Sequence, residues 1–188
     1  MKSVNVTGAK PKTTGAVFIA PVGTQLPTDA TTALSEAFKS LGYVSKDGVT
    51  NSNSPSSEST TAWGGDVVLE DQTDKPDNFK LTLVEALNEN VLKLVYGDNN
   101  VIGTLAEGIT VKANREEAVQ RALVIDMINK GAATRIVVPM AKVTELDDIV
   151  YQAGKPVSYG VKLAAYPDAQ GQTHYQYTKA VSGKEGNA

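Results

Sequence analysis

Apolar and polar residues alternate with a period of two over three successive stretches late in the chain. Val119, Leu123, Ile125 and Met127 share one side, with Gln120 and Asp126 on the other. After a turn at Asn129-Lys130-Gly131, Ile136, Val138 and Met140 are opposed by Arg135, Pro139 and Ala141. Beyond Asp147-Asp148 and a loop bearing Gly154, Val157, Tyr159, Val161 and Leu163 alternate with Ser158, Gly160 and Lys162. Strands in succession with this pattern predict an antiparallel meander with one face on a core.

The earlier part of the chain is more mixed. Ala16 to Ala20 is a short apolar run ended by Pro21, which predicts a first strand, and Gly23 to Asp29 reads as a loop. Leu34, Ala37, Phe38 and Leu41 recur at helical spacing before Gly42, so the pattern predicts a short helix over 31–41. Tyr43 and Val44 open an extended segment broken at Asp47-Gly48. Trp63 heads a strand through Val67, Val68 and Leu69, and Phe79, Leu81 and Leu83 alternate with Lys80 and Thr82. These two strands are expected to pair as a hairpin whose charged tip is the turn-rich stretch 71–78. A second helix is expected over 89–96: Asn88 is a suitable N-cap, Glu89 falls in the first turn, and Gly97 ends it. Leu87, Val91, Leu94 and Val95 would form its apolar face. The stretch 98–107 reads as a loop, followed by a short strand at Ile109-Thr110-Val111.

Three segments are too polar to bury themselves. The expected organisation is an N-terminal arm over 1–15, a β-domain over 16–167, and a C-terminal arm over 168–188. Within the domain, Asn51 to Thr61 has no apolar side chain. Its composition is compatible with a solvated surface loop or with a loop ordered against a neighbouring subunit.

Composition narrows the chemistry. The chain has 188 residues with 41% hydrophobic and 21% charged, a net charge of −3, no Cys and one His. An acidic balance argues against a basic surface that grips phosphates. Without Cys there are no disulfides and no thiolate ligands or nucleophiles. His174 alone makes a His metal cluster or a Ser/His pair improbable, the more so in a segment read as an arm. No apolar stretch approaches the roughly 20 residues of a bilayer span, and the start lacks the apolar core of a signal peptide. Phosphate-binding glycine motifs are absent. Asp71, Asp74 and Asp77 recur every third residue, but calcium loops space ligands two apart around a sixth-position glycine, where this chain has Pro76. No catalytic set, metal site or cofactor is expected. A structural or binding role remains, with Trp63 either a core or an interface anchor. The competing reading is a carbohydrate- or ligand-binding β-sandwich that uses Trp63 and the Tyr residues as stacking platforms.

The ordered series Asn5-Val6-Thr7-Gly8-Ala9-Lys10-Pro11, Gly15 to Pro21, Leu41-Gly42-Tyr43-Val44-Ser45, Asp47-Gly48-Val49-Thr50 and Ala62-Trp63-Gly64-Gly65-Asp66 resembles phage major tail proteins. The likeness continues through Leu83 to Asn88, Val91-Leu92, Val95-Tyr96-Gly97 and Ala165 to Asp168. It looks like the tail tube subunit of long, non-contractile-tailed phages. The resemblance implies a mainly β fold, a two-sheet antiparallel β-sandwich or half-barrel with one flanking helix, an extended loop and terminal arms. It further implies six-membered rings stacked into a virion tail tube, assembled in the host cytoplasm around a tape-measure protein, bounded by tail terminator and distal tail proteins. Such a tube conducts double-stranded DNA without binding it specifically, and nothing inserts into a membrane.

On this reading the inter-ring contact loop is Thr50, Asn51, Ser52, Asn53, Ser54, Pro55, Ser56, Ser57, Glu58 and Ser59, within a stacking loop over about 50–61. The charged stretch 70–78 is the alternative for that job. Because negative charge lets a duplex slide, Asp66, Glu70 and Asp71 are the expected channel face. Glu89, Val91, Leu92 and Val95 are the expected helix contacts at the ring interface.

Overall fold

The predicted meander is present in the computed structural model, which describes residues 8–11, 15–129 and 131–181. Strands β10 (Arg121–Asn129), β11 (Ala132–Leu146) and β12 (Tyr159–Tyr166) pair antiparallel in sequence order. On the far side of β10 lie β1 (Lys10–Pro11) and β2 (Val17–Pro21), and beyond β2 lies β3 (Lys39–Ser40). On the far side of β12 lie β7 (Asp77–Leu83) and then β4 (Val44–Asn53). With β13 (Tyr175–Ala180) on β11, the main sheet has nine strands among the described residues, all antiparallel neighbours. Its path ends at β3 and β4, which do not pair, so the sheet stays open. The fold is mainly β with one flanking helix, as expected. The two expected sheets are joined in one hydrogen-bonded path by β11, whose 15 residues take β13 along the first half and β12 along the second. Pro139, which has no N–H to give a ladder, sits at the bulge where the register slips between Arg121↔Ala141 and Leu123↔Val138.

The inner face encloses one core. Ile19, Phe79, Leu81, Leu83, Leu123, Ile125, Val138, Tyr159, Val161 and Leu163 come from β2, β7, β10, β11 and β12. Helix α1 (Glu89–Tyr96) closes this core with Val91, Leu92 and Leu94. Each such side chain contributes about 1.5–3 kcal/mol by leaving water. The helix bounds are those predicted, for the predicted reason. Asn88 Oδ1 accepts the Asn90 N–H at 3.0 Å, and the Gly97 N–H donates to the Lys93 carbonyl at 3.0 Å. Its buried face differs, however: Leu92 replaces Leu87, which precedes the N-cap and lies exposed. The stretch after the helix is not all loop, since β8 (Val101–Ile102) pairs with β9 (Thr110–Val111).

The other face of the sheet is covered too, by Phe38, Leu26 and Leu34 over Ala20, Ala122, Val124 and Val137. This overturns the helix expected over 31–41. Asp29 Oδ1 accepts the N–H groups of Thr31 and Thr32 at 2.6 and 2.7 Å, which fixes a tight turn. Arg135 Nη1 then takes the carbonyls of Asp29 and Thr32 at 3.1 and 2.8 Å, and Thr32 could no longer accept a helical bond in the usual way. The chain ends the segment as a strand: Phe38 packs on one face and Leu41 on the other.

Arg135 and Asp126 themselves, placed by alternation on the polar side, are buried beneath that segment. They are cross-strand partners, joined by Nε–Oδ1 at 2.6 Å and Nη2–Oδ2 at 2.8 Å.

Neither expected arm is wholly free. Residues 10–11 add β1 to the edge of β10, and residues 1–7 and 12–14 of the N-terminal arm lie outside the described residues. Within the expected C-terminal arm, β13 pairs with β11 from Ala132↔Ala180 to Val137↔Tyr175. The Tyr175 and Tyr177 rings stack at 6.3 Å and pack on the second core cluster, so this segment is a working strand of the sheet. Residues 182–188 lie outside the described residues.

Candidate interaction surface

A ribbon leaves the sheet at the β4–β7 edge. These strands pair from Val49↔Leu81 to Asn53↔Asp77, and β5 (Ser56–Thr61) with β6 (Val67–Asp74) carries the ladder on from Ser56↔Asp74 to Thr61↔Val67. The interruption falls at Ser54-Pro55 on one arm and Lys75-Pro76 on the other. The pairing expected from sequence is therefore corrected. The strand through Val67 to Leu69 pairs with β5, whereas Phe79, Leu81 and Leu83 join β4 and β12. The stretch 71–74 is strand, and the tip lies at Ala62 to Asp66. There Gly65, with φ +93°, donates its N–H to the Ala62 carbonyl at 2.9 Å.

The segment expected to be a loop is thus strand for most of its length. Thr50, Asn51, Ser52 and Asn53 are in β4, Ser54 and Pro55 at the break, and Ser56, Ser57, Glu58 and Ser59 in β5. Its lack of apolar residues has a physical cause: among the described residues β5 and β6 have no layer beneath them, and all their residues are exposed. A two-stranded hairpin without a core is marginal in water. This one nevertheless displays Trp63, at 106% relative exposure, with Val67 at 60%, Val68 at 62% and Leu69 at 53%. Uncovered apolar side chains gathered near the end of a hairpin in this way mark a contact surface. Trp63 is accordingly placed away from the core.

The three expected channel residues are all on this hairpin. Asp71 lies opposite Glu58, on the face that also carries Thr60 and Leu69, whereas Glu70 lies opposite Ser59 on the other face, and Asp66 is at the tip. The like-charge pair Glu58 and Asp71 disfavours the isolated hairpin. Between Ser56 and Asp74 there are five carboxylates and no Lys or Arg, against −3 for the whole chain, so the rest of the chain is net positive at +2.

The root of the ribbon is tied to the C-terminal segment. Asp77, buried beside Pro76, accepts from Asn51 Nδ2 at 2.7 Å, Thr173 Oγ1 at 2.6 Å and His174 Nδ1 at 2.5 Å. The His174 ring meets Phe79 edge-on at 5.5 Å. Burial pushes the Asp77 carboxyl up, but the hydrogen bonds from Thr173, His174 and Asn51, with the charge of His174, hold it below the usual carboxylate range. Thr173 and His174 both bind the carboxylate rather than each other, so the trio is a clasp and not a nucleophile–base pair. His174, read as lying in a free tail, is anchored.

At the opposite end of β4 the strand bulges. Val44 pairs with Leu83 but the next pair is Val49↔Leu81, so residues 45–48 stand out from the sheet. Beneath them opens a groove of about 510 Å³ whose lining includes Ala9, Pro11, Tyr43, Val49 and Met127, with Lys46 at its rim. Lys10 lies between two of the lining residues.

Of the four helix residues expected at a ring interface, Val91 and Leu92 are consumed by the subunit's own core, and Glu89 and Val95 remain partly exposed. Glu89 also faces Lys93 at 3.7 Å. The ribbon, its proline break and the Asp77 clasp were not legible as a unit. The available signal was the recurrence of proline at the inner end of each polar arm.

A model of the family described as phage tail tube protein matches residues 9–183. Comparison with curated protein sequences gives no match. Among solved structures, the chain is similar to one from the sheath-tube complex of PVC, an extracellular contractile injection system, in its extended state. The two are 10% identical with a TM-score of 0.41, over 92% of this chain and 93% of that one. It is also similar to a chain of the anti-feeding prophage cap, the terminating cap of the AFP tube, at 11% identity and a TM-score of 0.42. That match covers 95% of this chain and 97% of the other.

Proposed function

The chain belongs to the phage tail tube protein family, and from that premise we propose that its subunits close into six-membered rings that stack into a hollow tube. A structural part in a phage or phage-like tail follows from membership itself. The finer reading rests on one observation. The hairpin 56–74 holds Trp63, Val67, Val68 and Leu69 in water with no layer of its own to cover them. Burial on a neighbouring ring supplies that layer, and a heterologous contact of this kind repeats along an axis instead of closing on itself. The hairpin therefore takes the role of the inter-ring contact, with Ser56 to Ser59 in one arm and the charged stretch 70–74 in the other. Glu89 and Val95 on α1 are what that helix offers to a neighbour in the same ring.

The tube so built is a conduit for double-stranded DNA in a non-contractile tail. It is polymerised around a tape-measure protein and bounded by tail terminator and distal tail proteins. A chain without Cys needs no oxidising compartment to assemble, which suits the host cytoplasm. Asp66 and Glu70 are assigned to the bore, where they repel phosphates, and Asp71 to the contact face beside Leu69.

Replacing Trp63, Val67 and Leu69 together by Ser tests the reading. The variant keeps its far-UV circular dichroism and sediments as a small species, while wild type forms tubes in negative-stain micrographs. Tubes of normal abundance from the variant would refute the hairpin's role. Glu70→Lys, on the face away from Leu69 and Asp71, is expected to leave tubes intact and impair genome delivery; undisturbed delivery removes Glu70 from the bore.

A further inference from the structure

We propose that the groove under the β4 bulge is the socket for the hairpin tip of a second copy of this chain, with Trp63 seated against Tyr43, Val49 and Met127. The proposal rests on the stacking role of the hairpin given above and names the surface that receives it.

Three observations carry it. The first is polarity. The groove lies where Val44 pairs with Leu83, and the hairpin leaves the sheet where Asn53 pairs with Asp77. The 7-residue β7 spans that interval, about 20 Å at roughly 3.3 Å per residue. The 6-residue β5 carries the tip about 17 Å further on the same estimate. Knob and socket therefore sit at opposite ends of one ribbon, which is the arrangement that lets each copy receive one neighbour and enter the next.

The second is chemistry. The tip offers an indole and aliphatic side chains, all exposed, and the groove is walled by Ala9, Pro11, Tyr43, Val49 and Met127.

The third is charge. The hairpin has five carboxylates and no cation. The groove carries Lys46 at its rim, and among the described residues Lys46 is held in no ion pair.

Because the chain has no Cys and a single Trp, both readouts are clean. Gly64→Cys combined with Asp47→Cys, exposed neighbours that leave Trp63, Tyr43 and Lys46 in place, is assembled into tubes and treated with a short bis-maleimide. A ladder of covalent dimers and higher multimers on a denaturing gel is expected, and each single-Cys variant should give none. In parallel, Lys46→Glu with Tyr43→Ala, both exposed positions, is expected to lower tube yield at least tenfold with the subunit's circular dichroism unchanged. Wild-type Trp63 emission should shift to the blue on assembly.

If wild type assembles with that shift but the double-Cys tubes do not cross-link and the groove variant assembles normally, the hairpin stacks against another surface and the socket is refuted. A cross-linked product that migrates as a monomer refutes it as well, by placing the tip on its own groove. Wild-type protein that forms no tubes and shows no shift overturns the stacking role itself, and the socket with it.

Discussion

Pro55 and Pro76 occupy the same short gap in the ribbon, between the pairs Asn53↔Asp77 and Ser56↔Asp74. Neither can donate to a ladder, so the hydrogen-bonded ribbon is cut on both arms at once and the hairpin is mechanically separate from the sheet. Pro55→Thr with Pro76→Thr restores two donors. At about 1 kcal/mol for a hydrogen bond made, amide exchange within 56–74 should slow roughly fivefold or more, read by deuterium uptake of peptides from this region. Unchanged uptake would mean that the break is held open by something other than the prolines.

The Asp77 clasp predicts a pH dependence. Its carboxyl is depressed in the folded subunit, so it contributes stability that is full above the unfolded-state value, about 4, and lost as pH falls through the lower folded value. His174→Ala removes one donor and the neighbouring charge. The variant should melt several degrees below wild type at pH 6, and the gap should narrow as pH falls below about 4. A gap independent of pH in thermal melts would show that His174 acts only through its packing on Phe79.

Arg135 joins the sheet to the segment that covers its outer face. Arg135→Met leaves the buried Asp126 carboxylate without its guanidinium and withdraws the donor from the Asp29 and Thr32 carbonyls. A loss of about 3–5 kcal/mol is expected in urea unfolding. Adding Asp126→Leu should recover part of it, because no charge is then stranded. A double variant less stable than Arg135→Met contradicts this account.

Gly42 stands with φ +72°, and a Cβ there would collide with the Glu85 carboxylate. That carboxylate accepts the Tyr43 N–H at 2.9 Å, which fixes the start of β4. Gly42→Ala should cost about 1–3 kcal/mol, combining backbone strain with the displaced acceptor. Gly48→Ala, at φ +71° but with open space around its Cβ, should cost less. Equal losses at the two sites would remove Glu85 from the explanation.

Legibility followed how local the deciding interaction was. Asn88 and Gly97 fixed α1 to the residue because capping is settled within a turn. Phe38 and Leu41 misled because their spacing suits a helix, while the competing bonds come from Arg135, a hundred residues away in sequence. At the candidate surface, Trp63 and the acidic residues were picked out by type. Their union on one hairpin required knowing that β6 pairs with β5 and not with β7. Val91 and Leu92 could be identified as apolar, but not as already spoken for by the inner core.

The order of residues by itself determined the β-rich antiparallel class, the meander from β10 to β12, the helix α1 and the likeness to tail tube proteins. These depend on alternation, capping and residue type, which act over a few neighbours. Only the tertiary structure decided that two polar stretches form one coreless hairpin, that the C-terminal segment is a strand, and that Asp126 and Arg135 are inside. Those outcomes depend on which distant strands compete for the same backbone donors and acceptors, a contest that no local pattern records.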